Sequence, residues 1–318
     1  MDVDRIFALS PYVEVIARNI YWRSEFLVKR VTSLRAARKV EAKVAPAPPP
    51  RTSIDQVVSN LTRRGVGKGD ILIVHSAYKA ISLGSKPRPV LEGLRGLVGD
   101  TGTLVLPAIP QFSDAPAGIE RMRSDELTIL LEYDPETTPA WTGVLPNELM
   151  KVPGARRSLH PLNAVVAWGP HADEMLRGNL DGDRPLPCGP TSSWNYCREH
   201  GAKIAALGVD MAHSLTMIHV AEDMLGERWC VPGWHRDRRF RIKTPRGWEE
   251  HIVRERKPRW AMHYAERTLD KDLLREGLLT VEEVEGVPLG LLGAKELLDY
   301  LNSRNATGYP YYLVPIRR

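Results

Sequence analysis

The spacing of apolar positions near the N-terminus is that of a helix. In residues 1–40, apolar side chains recur at helical spacing between many arginines, which predicts one or two amphipathic helices. These side chains are Ile6, Phe7, Leu9, Tyr12, Val15, Ile16, Ile20, Phe26, Leu27 and Val31. We interpret residues 1–44 as a helical extension that covers the body of the protein or a dimer partner. A basic helix lying on a membrane surface is the alternative.

A proline-rich run follows this extension. Residues 45–50 have the sequence A-P-A-P-P-P, which breaks a helix and favours an extended chain. We therefore divide the protein into a helical extension at 1–44, a linker at 45–51 and one folded domain at 52–318.

From residue 52 onward, short apolar runs alternate with helical segments. Ser53 has the position of a helix cap, and the glycines at 65–69 end that helix. The runs without polar side chains are predicted to be buried strands, and they lie at 71–74, 103–106, 165–168 and 204–207. Strands that alternate with helices predict an α/β sandwich.

The last third of the chain has a less regular pattern. Residues 227–260 combine many arginines with aromatic side chains, and we expect hairpin-like strands with a basic, solvated face. A site for an anionic group on that face is the functional alternative. Residues 291–301 have helical spacing, and residues 311–314 are a possible edge strand.

Composition and charge exclude several classes of protein. The 318 residues include 44 Lys and Arg against 39 Asp and Glu, an excess too small and too dispersed to favour nucleic-acid binding. The three cysteines lack C-x-x-C spacing, so neither a disulfide framework nor a structural metal site is expected. No apolar run is long enough for a transmembrane helix and no secretion signal is visible, so we expect a cytoplasmic protein.

Three groups of polar residues are candidates for chemistry. His75, Ser76 and Lys79 follow the strand at 71–74, and ligands bind at the carboxyl ends of strands in open α/β sheets. Lys79 adds a charge that attracts phosphate, although a helix cap with an exposed lysine has the same pattern.

A second group contains an imidazole and a carboxylate on one predicted helix. His219 and Glu222 are three residues apart and would share a helix face. The carboxylate can hold the imidazole in one tautomer, and such a base can remove the proton of an attacking amine. A simple surface contact is the alternative for an isolated pair.

The third group is the sequence R-S-L-H-P at 157–161. It brings Arg157, Ser158 and His160 together just before a predicted strand, and Pro161 keeps the preceding residue extended. Taken alone, it is an ordinary loop sequence.

The order and spacing of these groups resemble the aminoglycoside 3-N-acetyltransferase family over roughly residues 51–305. The matching segments are H-S-A-Y-K at 75–79, V-G-D-T-G-T-L-V-L-P at 98–107, Y-D-P-E-T-T-P at 133–139, R-S-L-H-P at 157–161 with A-W-G at 167–169, and A-L-G-V at 206–209 followed by L-T-M-I-H-V-A-E at 215–222.

The resemblance implies a particular α/β sandwich with a mixed central sheet and a cleft for coenzyme A. It implies that acetyl-CoA is the co-substrate, that no metal is needed, and that an amine attacks the thioester directly. His219 would be the general base and Glu222 its orienting partner, with Asp210 as a further catalytic candidate. The cofactor would be held by His75, Ser76, Lys79, Arg157, Ser158 and His160.

The acceptor is less well defined by the sequence. Ala77, Ala164 and Leu215 stand where the family has polar residues. Aminoglycosides are polycations that need an acidic cleft, whereas this chain is basic. We therefore expect an aminoglycoside or amino-sugar-like acceptor, with a nucleotide-linked amino sugar or another anionic amine as the alternative. A non-catalytic coenzyme A-binding protein is the alternative from another class, and a homodimer is possible.

Overall fold

A computed structural model describes residue 7 and residues 10–44, 52–78, 86–113, 118–123 and 127–314. The helices in these ranges are α1 Pro11–Arg23, α2 Glu25–Val44, α3 Ile54–Arg63, α4 Pro87–Val98, α5 Gly118–Arg123, α6 Val144–Leu149, α7 Ala172–Leu176, α8 Ser193–Glu199, α9 Met211–Ser214, α10 Ile218–Asp223, α11 Glu266–Arg275 and α12 Ala294–Ala306. The strands are β1 Ile71–Ser76, β2 Thr103–Pro107, β3 Leu127–Tyr133, β4 Arg156–Arg157, β5 Val165–Trp168, β6 Lys203–Leu207, β7 His235–Thr244, β8 Gly247–Arg256, β9 Thr280–Val284 and β10 Val287–Gly293.

The four strands predicted from apolar runs lie together in one mixed sheet. Its order across the described strands is β4-β5-β2-β1-β6-β10-β9. Strand β1 pairs in parallel with β2 and β6, while β5 and β10 add antiparallel strands on either side. The predicted α/β class is therefore confirmed, and the sheet is mixed as the family resemblance implied.

Helices cover both faces of this sheet, which explains why its central strands lack alternation. Ile71 and Ile73 of β1 belong to one buried apolar cluster, whereas Leu72 and Val74 belong to the cluster on the opposite face. A strand buried on both faces needs apolar side chains at every position. The continuous run at 71–74 is the direct result.

The predicted hairpin forms a second sheet, in the order β3-β7-β8. The prediction of a basic, solvated face was only partly correct. Successive side chains of a strand point to opposite faces of the sheet, so some of the basic residues face the interior. Arg236 and Arg238 are buried and pair with Glu255, whereas Arg239 is exposed and pairs with Glu250. Two of the arginines expected on the solvated face, Arg236 and Arg238, therefore lie inside the protein.

Two predictions near the C-terminus were wrong in detail. Residues 291–293 complete β10 by pairing with β6, so helix α12 begins only at Ala294. The possible edge strand at 311–314 is a single bridge between Tyr264 and Tyr312. Helical spacing of leucines across residues 291–301 concealed the strand, because pairing with β6 is a long-range interaction.

The N-terminal helix α1 packs against the segment that precedes α11. Val15 is buried, and the Asn19 amide donates to the Met262 carbonyl at 2.9 Å. The predicted linker at 45–51 lies outside the described residues, and the proposed domain division stays a prediction. Within the described part of the chain, no helix has both the length and the hydropathy to cross a membrane.

Candidate active site

The second predicted group lies on α10, just beyond the carboxyl end of β6. Parallel strands β1, β2 and β6 end at the same edge of the sheet, which is where ligands bind in open α/β folds. His219 and Glu222 share a cavity with Ile109, which follows the carboxyl end of β2, so the pair lies at this edge of the sheet.

His219 and Glu222 form a direct hydrogen bond. The distance from His219 Nδ1 to Glu222 Oε2 is 2.8 Å, and the Glu222 side chain is only 1% exposed. Its other oxygen accepts a hydrogen bond from the Tyr312 hydroxyl at 2.7 Å, and Arg256 Nη1 donates to that hydroxyl at 2.8 Å. The carboxylate is therefore fixed on both sides.

The surroundings of Glu222 keep it ionised. Burial by itself would raise the pKa of this carboxyl group, but the neighbouring His219, Arg256 and the Tyr312 hydroxyl lower its pKa below the usual value. An ionised carboxylate only accepts hydrogen bonds, so Nδ1 of His219 must carry the proton. In the neutral imidazole, Nε2 then has the free lone pair and can act as a base.

Two cavities meet at His219. Cavity A, of about 170 Å³, is lined by Ile109, Arg121, Trp141, Leu162, Asn163, Pro187, His219, Glu222, Asp223, Glu255, Arg256 and Pro258. Cavity B, of about 130 Å³, is lined by Arg18, Ala212, Ser214, Leu215, Thr216, Ile218, His219, Arg256, Ala261, Tyr264 and Glu266. The imidazole can therefore contact molecules bound on either side.

A larger cleft than cavities A and B lies elsewhere among the described residues. It has a volume of about 680 Å³, and Arg157 and Lys243 are among its lining residues, but His219 and Glu222 are not. Among the described residues, no group of three or more His, Cys, Asp or Glu side chains could hold a metal ion. We base the site on the His219–Glu222 pair because it combines a buried ionised group with accessible cavities.

Asp210, the further catalytic candidate, lies at the start of helix α9. Its carboxylate caps α9 by accepting from the Ala212 backbone N–H at 2.9 Å, and it also pairs with Arg267. It is absent from the lining of both cavities. These contacts indicate that Asp210 holds the start of α9, and its catalytic role stays a prediction.

The group after β1 is divided between the core and the sheet edge. His75 is buried with its ring against Trp194, and burial lowers the pKa of His75 to about 4. Ser76 is partly exposed at the end of β1. Lys79 lies outside the described residues. Of the described pair, only Ser76 is accessible to a ligand.

The side chains of the R-S-L-H-P segment bind the protein itself. The Arg157 guanidinium donates to the carbonyls of Ala108 and Thr138, and Ser158 bonds to Asn179 at 3.0 Å. The His160 ring lies between the carbonyls of Leu162 and Pro185. These contacts hold a loop that continues to Leu162 and Asn163 in the wall of cavity A, and the expected contact of the three side chains with the cofactor stays a prediction.

The buried histidines make the protein sensitive to acid. Burial lowers the pKa of both His75 and His160 to about 4 from an ordinary 6.5. As the pH falls below about 6.5, the unfolded chain takes up protons that the folded protein excludes, so stability decreases until about pH 4. From pH 7 to pH 5, we expect each histidine to reduce the free energy of unfolding by about 2 kcal/mol.

Urea denaturation at a series of pH values measures this effect. His75→Phe keeps an aromatic ring against Trp194 but cannot titrate. The slope of the unfolding free energy against pH reports how many more protons the unfolded chain binds than the folded protein, and near pH 5 this number should decrease by about one. An unchanged slope would contradict a neutral, buried His75.

Sequence reasoning did not find Tyr312, Arg256 or Arg18 as parts of the site. Tyr312 follows α12 and Arg256 ends β8, so each is far from residue 219 along the chain. No local pattern connects them to His219. Only the packing of the C-terminal segment and the hairpin against α10 brings them together.

Comparisons with known proteins identify the family. The family profile "Aminoglycoside 3-N-acetyltransferase" matches residues 73–304. Aminoglycoside N(3)-acetyltransferase IV of Salmonella sp is 30% identical over 181 residues, which cover 56% of this chain and 61% of that protein. The chain thus spans less than two thirds of that relative's length.

Solved structures share the fold. The apoenzyme of aminoglycoside acetyltransferase AAC(3)-IVa superposes with a TM-score of 0.64 at 23% identity, and the match covers 83% of this chain and 92% of that one. AAC-IIIb in binary complex with CoASH superposes with a TM-score of 0.61 at 20% identity, over 83% and 99% of the two chains. The fold is an α/β sandwich with a mixed sheet, as in these solved structures. The chain belongs to the aminoglycoside 3-N-acetyltransferase family.

Proposed function

We propose that the protein transfers an acetyl group from acetyl-CoA to the amine of an aminoglycoside or amino-sugar-like acceptor. The observation that carries this proposal is the 2.8 Å bond between His219 Nδ1 and the buried Glu222, which leaves Nε2 as a base. Because His219 lines both cavities, a thioester in one and an amine in the other would meet at this imidazole. Membership in the family supports the donor and the class of acceptor.

The reaction is a direct transfer. The acceptor nitrogen attacks the thioester carbonyl carbon, and the new C–N bond forms as Nε2 of His219 takes a proton from that nitrogen. The C–S bond then breaks, and coenzyme A leaves as a thiolate that the imidazolium can protonate. Glu222 stabilises the positive charge on His219 during this cycle, as a buried carboxylate next to an imidazole does in other acyl transfers.

The groups outside the pair have supporting roles in this proposal. Ser76 and Lys79 remain candidates for contact with the cofactor. Arg157, Ser158 and His160 would act indirectly, by holding the loop that ends in the wall of cavity A. A cytoplasmic location and a homodimer stay predictions.

A nucleotide-linked amino sugar or another anionic amine is the second candidate acceptor. It is favoured by the hydrogen bonds of Glu222 and Asp223, whose four carboxylate oxygens all have partners within the protein. A polycationic acceptor would have to compete with those partners. A coenzyme A-binding protein without turnover is the candidate from a different class.

Thiol release tests the activity. The protein is incubated with acetyl-CoA and a panel of amines that includes kanamycin, glucosamine and uridine diphosphate glucosamine, and free thiol is followed with a chromogenic disulfide. We expect release that depends on at least one acceptor, at a rate of about 1 per second or more at saturation. Binding of coenzyme A with no release for any amine would favour the non-catalytic alternative.

A further inference from the structure

The N-terminal extension reaches the proposed active site. Arg18 of α1 lines cavity B together with His219 and Arg256. Helix α1 ends at Arg23, well before residue 73, where the family match begins. A residue outside the shared family region therefore forms part of the wall next to the proposed base.

Several contacts fix Arg18 in this wall. Its Nη2 pairs with Glu14 on the same helix and with Glu266 at the start of α11. Glu14 is fully buried and also accepts from the Arg267 backbone N–H at 3.1 Å. Because Glu14 caps α11 from a distant helix, α1 is tied to the segment that borders the cavity.

The position of Arg18 leaves donors available to a ligand. Both of its ion pairs use Nη2, and the Nη1 amino group makes no hydrogen bond with the described residues. The side chain keeps 22% of its surface exposed. A guanidinium with a free edge binds phosphate or carboxylate oxygens well.

The carboxylates around His219 are less available to a ligand than the Arg18 guanidinium is. Both oxygens of Glu222 are occupied by His219 and Tyr312, and both oxygens of Asp223 by His235 and the Cys188 backbone N–H. Glu255 pairs with two buried arginines, and Glu266 in the wall of cavity B pairs with Arg18. Across the described lining of the two cavities, a cationic group on a ligand would thus meet occupied carboxylates, while an anionic group would meet an accessible guanidinium.

We propose that Arg18 is a specificity-determining residue that favours acceptor amines carrying a phosphate or carboxylate group. The proposal rests on the proposed function, because it takes cavity B as part of the acceptor site. Because α1 lies outside the family match, Arg18 is a position at which this chain can differ from its relatives in the choice of acceptor.

Binding measured without turnover tests this role. Isothermal titration in the absence of acetyl-CoA compares glucosamine with glucosamine 6-phosphate and uridine diphosphate glucosamine, and kanamycin is the polycationic probe. We expect the phosphorylated probes to bind more tightly than glucosamine and kanamycin. Arg18→Met should lower the affinity for the tighter-binding phosphorylated probe by about tenfold, which is the effect of losing one charge-assisted hydrogen bond. The affinity for glucosamine should not change.

Two further variants make the outcome clear. Arg18→Met leaves the buried Glu14 without its cation, which can destabilise the protein. The double variant Glu14→Gln/Arg18→Met removes both charges, so no unpaired charge remains buried at position 14. Arg30→Met removes one exposed positive charge from α2 and should leave all affinities unchanged. Melting temperatures confirm that each variant is folded.

Each result decides between the alternatives. Tighter binding of kanamycin than of both phosphorylated probes, or affinities that Arg18→Met and the double variant leave unaltered, would overturn the proposal. Tight binding that depends on Arg18, combined with no thiol release from acetyl-CoA, would support the binding site and reject the transferase activity. The two proposals are therefore tested separately.

Discussion

Replacing His219 with alanine is expected to lower kcat for thiol release by about 100- to 10,000-fold, because the attacking amine loses its general base. The KM values should change little, since the imidazole lines both cavities but occupies only a small part of their walls. Steady-state kinetics with the best acceptor of the panel measure both parameters. Added imidazole should restore part of the lost rate, because a free base can enter the space that the side chain leaves.

Matched variants separate this role from a general loss of structure. His200→Ala removes an exposed imidazole that lines neither cavity, and its rate should equal that of the wild type. The kcat of Glu222→Gln should lie between those of the wild type and His219→Ala. The new amide can donate to Nδ1 of His219 and so favour the tautomer whose Nε2 carries the proton. A His219→Ala enzyme with an unchanged rate would show that another group is the base.

Gly169→Ala is expected to destabilise the fold by about 3 kcal/mol or more. Gly169 follows β5 with φ of 128°, a conformation that other residues rarely adopt. A Cβ at this position would collide with the Gly102 carbonyl oxygen and lie 2.8 Å from Thr103 Cα. Since both neighbours belong to the backbone at the start of β2, neither can move without disturbing the sheet.

Gly96→Ala is the control for this change. Gly96 lies in α4, where an added Cβ would meet no atom within 4 Å. Alanine is the better helix former, so this variant should be more stable than the wild type by about 0.5–1 kcal/mol. Urea denaturation of both variants measures the difference. Equal stability of the two variants would refute the close backbone approach at Gly169.

The sequence by itself determined the central part of the fold. Strands buried on both faces need continuous apolar runs, so 71–74, 103–106, 165–168 and 204–207 could be identified without knowing their neighbours. The capping box at Ser53 and Gln56 is a local interaction, and it fixed the start of α3 in the same way. Spacing within one helix also brought His219 and Glu222 together, because positions three apart share a face.

The tertiary structure decided which polar groups surround that pair. The sequence predicts that Arg157, Ser158 and His160 contact the cofactor, whereas in the structure their polar atoms bind the protein's own backbone and side chains. Arg18 and Tyr312 come from the two ends of the described chain and still reach the surroundings of His219. Hydrogen bonds and ion pairs between distant segments depend on how helices and sheets pack, and local sequence patterns do not predict that packing.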